Sequence, residues 1–138
     1  MKKIVAAAAL LSAFATVGAA GDAAKGAKDF RKCKSCHMIV ADDGTTIVKG
    51  GRTGPNLYGI IGRQAGTVDG YRYGASLVDA GNAGLVWDEA TFVEYVQDPK
   101  GFLATTLDDS KARSKMSFRL RKGMDDVYAY LVSVGPQN

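Results

Sequence analysis

The chain has 138 residues, and its 18 lysines and arginines against 14 acidic residues give a formal net charge of +4. This length suits one small domain, and so weak a positive balance gives no reason to expect a nucleic-acid partner. Cysteine occurs only at Cys33 and Cys36, so any thiol chemistry is confined to one short stretch.

The first twenty residues have the pattern of a secretory signal peptide. Met1-Lys2-Lys3 is a short positive region, an uncharged and mostly apolar stretch follows to Val17, and Gly18-Ala19-Ala20 offers small residues to a signal peptidase. The apolar run is shorter than the ~20 residues of a membrane-spanning helix, although an uncleaved anchor is the alternative. We predict that residues 1–20 are removed, that the mature domain is 21–138, and that the protein is exported.

The first predicted helix begins at Asp22, a suitable N-cap residue, and runs to Lys32. Ala23, Ala27 and Phe30 fall on one face at helical spacing, with Gly26 beside them. A glycine inside a helix costs ~1 kcal/mol relative to alanine. Close packing of another helix at Gly26 would explain its presence, and ordinary tolerance of a glycine is the alternative.

The helix leads into Cys33-Lys34-Ser35-Cys36-His37, which has the Cys-x-x-Cys-His pattern of covalent attachment of a c-type haem. Two thiols at this spacing can each add to one vinyl group on the same edge of a porphyrin. The adjacent imidazole is then brought under the ring, within reach of the iron. A dithiol redox centre is an alternative, but no βαβ pattern surrounds the motif. A zinc site is another, but His37 is the only histidine and there is no third cysteine.

Residues 38–72 are rich in Gly, Thr, Asp and Asn, and we predict that they form a loop. Within them, Pro55 keeps a carbonyl acceptor that can hold the outer N–H of an iron-bound imidazole. A Gly-Pro turn without that role is the other interpretation. Arg63, Tyr71 and Tyr73 could donate hydrogen bonds to buried propionates or could be ordinary surface residues.

Two helices are predicted in the centre of the chain. A short one covers residues 73–80 and is stopped by Gly81. A clearer one opens at Trp87-Asp88-Glu89, and its end is set by Asp98, because a residue before proline disfavours helical geometry. The buried stripe of this second helix is predicted to consist of Phe92, Val93 and Val96.

The C-terminal third is predicted to contain a polar loop over residues 100–115 and a final helix over residues 124–134. In that helix Val127, Tyr130, Leu131 and Val134 repeat at i, i+3, i+4 and i+7, and Gly135-Pro136 ends it. We see no internal repeat and no convincing strand pattern.

Methionine is the remaining candidate for an iron ligand. Met1 leaves with the signal peptide, and Met38 adjoins the histidine and cannot reach the opposite face of a haem. Met116 follows a long polar stretch and is flanked by Lys115 and Phe118, which suits a strap folded over the ring. Spacing alone favours Met116 but leaves Met124 open.

Taken together, these residues resemble the class I cytochromes c, and within them the longer-loop cytochrome c2 type of purple and related bacteria. The resemblance covers residues 21–135. It implies an all-α fold of short helices and long loops wrapped around one covalent haem, with the N- and C-terminal helices crossing. The matching positions, in chain order, are Gly26, Phe30, Cys33 to His37, Thr53 to Leu57, Arg63, Tyr73, Trp87, Tyr95, Pro99, Lys115 to Phe118, and Tyr130-Leu131.

The resemblance implies a role for each residue that matches the family pattern around the iron. Cys33 and Cys36 would form the thioether links to one haem c. His37 would be the proximal ligand and Met116 the distal one. The Pro55 carbonyl would hold the histidine ring.

Further roles implied by the resemblance concern the rim of the haem. Arg63, Tyr73 and Trp87 would hydrogen-bond the propionates. Tyr95 would lie near the methionine sulfur, and Phe118 would shield the exposed haem edge.

The resemblance implies a soluble periplasmic electron carrier, not an enzyme, whose haem cycles between Fe(II) and Fe(III). It would take electrons from a membrane cytochrome bc complex and pass them to a photosynthetic reaction centre or a terminal oxidase. It would be a monomer that docks on these complexes through Lys32, Lys34 and Lys115. It would bind no nucleic acid. An open-coordination haem protein, peroxidase-like or gas-binding, is the alternative. Leu77 departs from the family, which has asparagine there.

Overall fold

The computed structural model describes residues 21–137, so the predicted signal peptide lies outside the described residues. In this part of the chain the fold is mostly helical, and no helix is both long and apolar enough to cross a membrane. The elements, in chain order, are α1 (Ala23–Asp29), a 3₁₀ turn (Phe30–Lys32), β1 (Ile39–Val40), β2 (Thr46–Val48), α2 (Ala75–Asn82), α3 (Glu89–Gln97), α4 (Pro99–Leu107) and α5 (Met124–Val134).

Helix α1 starts where the sequence predicts. The Asp22 carboxylate accepts hydrogen bonds from the backbone N–H groups of Ala24 and Lys25 at 2.9 and 3.1 Å, as an N-cap does. The helix is shorter than predicted, because its last turn tightens into the 3₁₀ turn. The N–H of Cys33 then bonds the Phe30 carbonyl at 2.8 Å, which leads the chain directly into the cysteine motif.

The crossing of α1 and α5 depends on the absence of a side chain at Gly26. A Cβ there would run into the backbone carbonyl of Asp126 and the Cβ of Tyr130. The predicted close approach of a second helix is therefore confirmed. The ring of Phe30, which is buried, packs on that of Tyr130 at 5.7 Å. Ala27, predicted to share the buried face, is exposed.

Helix α3 begins at the predicted residue. Asp88 and Thr91 form a reciprocal capping box, with bonds of 2.9 and 3.0 Å. The helix ends at Gln97, as predicted from the proline that follows. Its buried residues are Phe92, Tyr95 and Val96. Phe92 and Val96 are buried as predicted, but the third buried residue is Tyr95 and not Val93.

The predicted loop over residues 100–115 is wrong in its first half, because α4 extends to Leu107. Pro99 stands in the first turn of α4, where a helix does not need its N–H, and the Asp98 carboxylate caps the Gly101 N–H at 3.2 Å. Leu103 is fully buried. The sequence predicts only that Pro99 ends one helix, whereas Pro99 also starts the next.

Two smaller differences concern turns and boundaries, and one boundary agrees with the prediction. Helix α2 runs to Asn82, past the predicted stop at Gly81, which is buried because the Ala65 carbonyl lies where its Cβ would be. The predicted loop 38–72 contains the antiparallel pair β1–β2, which is too short to give an alternating pattern. Helix α5 spans the predicted residues, with Val127 and Leu131 buried.

Candidate functional site

A large, mainly apolar cavity lies between the cysteine motif and a segment that we call the distal strap, residues 113–120. On the motif side it is also bounded by residues 53–55, which we call the proximal strap. The predicted site residues that line the cavity are Cys33, Cys36, His37, Pro55, Tyr73, Trp87, Tyr95, Met116 and Phe118.

The imidazole of His37 is fixed by a hydrogen bond of 2.8 Å between Nδ1 and the Pro55 carbonyl. A carbonyl oxygen only accepts, so Nδ1 carries the proton and Nε2 keeps its lone pair. Burial lowers the pKa of His37, and the bond to Pro55 opposes this shift. The ring is therefore neutral at neutral pH, which is the form that binds a metal.

The proximal strap presses against the same ring. A Cβ at Gly54 would lie 2.7 Å from the His37 Nδ1, closer than side chains pack. The Gly54 N–H bonds the Cys36 carbonyl, and the Gly51 N–H bonds the Lys34 carbonyl, both at 2.8 Å. Sequence reasoning did not assign these glycines a role. The run of glycines directly before Pro55 was the signal that could have found them.

The two thiols sit in different surroundings on the cavity wall. Cys33 is largely buried, and this raises its pKa to about 11. Hydrogen bonds to the side chains of Thr53 and Ser35 lower the pKa of Cys36. Both are free cysteines beside His37. This donor set, two thiols next to a neutral imidazole on an apolar wall, fits a covalently held haem.

The distal strap brings Met116 to the cavity. Its ends are tied to the helices, because the Arg113 N–H bonds the Ser76 hydroxyl at 3.0 Å and the Leu120 N–H bonds the Val96 carbonyl at 2.7 Å. Within the strap, the Ser114 hydroxyl donates to the Met116 carbonyl at 2.9 Å. Met124 packs against the core from the start of α5 and does not line the cavity.

Aromatic rings cover much of the cavity interior. Trp87 and Tyr95 are both buried, with ring centroids 4.9 Å apart. Burial raises the pKa of the Tyr95 phenol, and its hydrogen bond to Ser114 opposes the shift. Phe118 is 42% exposed although it lines the cavity. Leu77, the departure from the family pattern, also lines it.

The structure does not bring Arg63 to the cavity wall. Its guanidinium donates to the hydroxyl and the carbonyl of Thr67, at 3.1 and 2.9 Å. Arg63 also lies close enough to Tyr73 for its charge to act on the phenol. Burial raises the pKa of Tyr73, and the hydrogen bond from the Val68 N–H and the charge of Arg63 oppose this shift. Direct contact between Arg63 and a propionate stays a prediction.

Tyr71 lines the cavity next to Tyr73. Its hydroxyl donates to the Thr53 carbonyl at 2.8 Å, across 18 positions of sequence. The sequence leaves Tyr71 open between a propionate donor and a surface residue and does not predict its bond to Thr53.

Comparison with known proteins decides the family, although no family model matches the chain. The chain is 65% identical over 120 residues to cytochrome c-551 of Roseobacter denitrificans, covering 87% of this chain and 86% of that protein. It is 56% identical over 115 residues to cytochrome c2 of Rhodobacter capsulatus, covering 83% and 84%. The chain belongs to the cytochrome c2 family.

Solved structures agree with this assignment. That of Rhodobacter capsulatus cytochrome c2 covers 83% of this chain and 98% of its own, with a TM-score of 0.81 and 56% identity. That of ferric cytochrome c-550 from Paracoccus versutus covers 84% and 99%, with a TM-score of 0.81 and 51% identity. The class I cytochrome c fold is thus confirmed. Members of the family carry one covalently attached haem c and are electron carriers rather than enzymes.

Contact between Gly54 and His37 leads to a first prediction. Gly54→Ala should displace the ring or the strap and break the bond to Pro55. That bond makes imidazole a stronger donor and so favours Fe(III). Its loss should raise the reduction potential by about 20–60 mV, equivalent to the ~0.5–1.5 kcal/mol net value of one hydrogen bond. Equilibrium redox titration measures this.

Gly74→Ala is the matched control. Gly74 also lines the cavity, but a Cβ there would meet only the flexible side chain of Lys115, with Cγ at 3.4 Å and Cδ at 3.9 Å. The control should keep the potential of the unaltered protein. Equal shifts in both variants would contradict a specific contact with the imidazole.

Proposed function

We propose that this haem protein carries single electrons in the periplasm between a quinol-oxidising cytochrome bc complex and a photosynthetic reaction centre or a terminal oxidase. The observation that supports this most is the cavity, in which His37 and Met116 are lining residues together with both cysteines. The bound haem supplies a one-electron Fe(II)/Fe(III) couple. The protein holds that group, fixes its ligands and restricts water.

The proposed ligands follow from the lining residues. Cys33 and Cys36 would hold the haem through thioether links, and His37 and Met116 would be its two iron ligands. A filled pair of axial positions offers substrate no open site, and a soft thioether ligand favours the reduced iron. Because both ligands are held by hydrogen-bonded straps, the protein can change oxidation state with little rearrangement.

The remaining assigned residues surround this centre. Pro55 orients the histidine. Tyr73 and Trp87 would donate hydrogen bonds to the propionates, and the same role for Arg63 stays a prediction. Tyr95 and Phe118 cover the methionine side and the exposed edge.

Ligation by Met116 is tested by comparing two methionines. Met116→Ala should lose the methionine–ferric charge-transfer band and lower the potential on the order of 0.1–0.3 V, within the ~0.8 V that axial ligands span. It should also let the reduced protein bind carbon monoxide. Met124→Leu is the matched control and should change none of these properties.

The unaltered protein separates the two function classes. Reduced protein that binds carbon monoxide without any substitution would favour an open-coordination haem protein over a carrier. Loss of the charge-transfer band in Met124→Leu would identify the other sulfur as the ligand.

Export is proposed from the sequence of residues 1–20. Cleavage after Ala20 would leave Gly21 as the first residue of the mature protein. Intact mass spectrometry of the periplasmic fraction should give residues 21–138 plus one haem. A mass that retains residues 1–20 would rule out this cleavage.

Docking is proposed to use positive charge around the cavity mouth. Lys32 is half-exposed but lies 3.4 Å from the Asp29 carboxylate, and Lys115 contacts Arg72. Lys34 is exposed between the two cysteines and has no ion pair among the residues that the structure describes. It is therefore the best position for testing electrostatic steering, which acts on the rate of encounter.

Lys34→Glu should lower the second-order rate of electron transfer from a purified cytochrome bc complex by roughly 3- to 10-fold at low salt. Added salt should reduce the difference, because the Debye length is ~10 Å at 0.1 M. Lys25→Glu makes the same change of charge on the exposed part of α1 and should matter less. Stopped-flow kinetics at several ionic strengths measure both. Equal losses, or rates indifferent to salt, would place the docking face elsewhere.

A further inference from the structure

Tyr71 stands between the two straps, and we propose that it is a positioning residue that latches the distal strap to the proximal strap. This inference rests on the proposed ligation by Met116. The latch has two halves: a hydrogen bond from the Tyr71 hydroxyl to the proximal strap, and a contact between its ring and Lys115 of the distal strap.

The first half reaches the histidine side of the cavity. The Tyr71 hydroxyl donates to the Thr53 carbonyl at 2.8 Å. Thr53 directly precedes Gly54, which touches the imidazole, and Pro55, which accepts its N–H. Tyr71 is thus bonded to the short segment that sets the orientation of the proximal ligand.

The second half reaches the methionine side. The Lys115 ammonium lies 5.6 Å from the centroid of the Tyr71 ring, within the range of a cation–π contact. The same ammonium donates to the Arg72 carbonyl. Since Lys115 directly precedes Met116, the residue next to the proposed ligand is held by two successive residues of the 71–72 segment.

Tyr71 itself is held in place. Its ring meets that of Tyr73 edge-on, with centroids 4.7 Å apart and planes at 78°. The Tyr73 hydroxyl accepts from the Val68 N–H at 3.3 Å. The Tyr71 side chain is half-buried, and its two contacts lie on segments 18 and 44 residues distant in sequence (71 to 53 and 71 to 115).

A latch at this point acts on local opening. The distal strap is tied to helices at Arg113 and Leu120, and Ser117 and Phe118 between them are exposed. The middle of such a strap can separate from the cavity while the helices stay folded. A link at Lys115 opposes this separation, and so keeps Met116 facing the cavity.

The test measures how readily an outside ligand replaces the methionine. Ferric protein is titrated with imidazole at pH 7, and the loss of the methionine charge-transfer band gives the apparent affinity. Tyr71→Phe removes only the hydroxyl and should bind imidazole about 2- to 10-fold more tightly, the factor that one net hydrogen bond represents. Tyr128→Phe is the matched control. Its ring packs on Phe92 at 5.8 Å, and it does not line the cavity, so its affinity should stay unchanged.

A second comparison tests whether the two halves act in series. Tyr71→Leu and Lys115→Met should each raise the imidazole affinity, and the double variant should bind no more tightly than the stronger single variant. If the two contacts form one continuous connection, loss of either contact breaks it, and loss of the second has no further effect on the imidazole affinity. Factors that multiply in the double variant would refute the latch.

Equal imidazole affinities in Tyr71→Phe and Tyr128→Phe would also overturn it. Failure of the underlying ligation has a different signature, because the unaltered protein would then lack the charge-transfer band before any imidazole is added. Unfolding in denaturant, followed by far-ultraviolet circular dichroism, should give similar midpoints for the two Phe variants. If Tyr71→Phe alone lost global stability while its imidazole affinity stayed unchanged, Tyr71 would stabilise the fold without holding the distal strap.

Discussion

The hydrogen bond from His37 Nδ1 to the Pro55 carbonyl is the interaction on which the rest of the site depends. It determines the tautomer, because the carbonyl only accepts, and it leaves Nε2 with a lone pair that can bind a metal. It also brings Gly54, the residue before Pro55, directly against the imidazole ring. A glycine makes this contact possible, since any side chain would overlap the ring.

The helices serve to hold this centre rather than to form an independent core. The crossing of α1 and α5 brings the cysteine motif to a fixed place, because Gly26 lets the backbones approach closely. Helix α3 supplies Phe92, Tyr95 and Val96 to the cavity interior. Much of the apolar surface of a small domain thus faces the cavity, where a haem completes its burial.

The differences from the sequence predictions have physical causes that lie in particular residues. Pro99 both ends α3 and begins α4, because its restricted geometry disfavours a helix before it and suits the first turn of one after it. Arg63 has a chemistry suited to propionates, but its guanidinium bonds Thr67 and does not line the cavity. The chemistry of a side chain limits which hydrogen bonds it can form. The fold then decides which of the possible partners lies close enough.

The sequence by itself determined whatever is encoded over a few neighbouring residues. The cysteine–histidine spacing predicts covalent haem, the acids at Asp22 and Asp88 mark helix starts, and apolar periodicity defines α5. The tertiary structure alone decided which distant groups meet. It brings Met116 rather than Met124 to the cavity, and it places Tyr71 between Thr53 and Lys115. Such contacts depend on how helices and straps pack against one another, and no spacing within one segment specifies that packing.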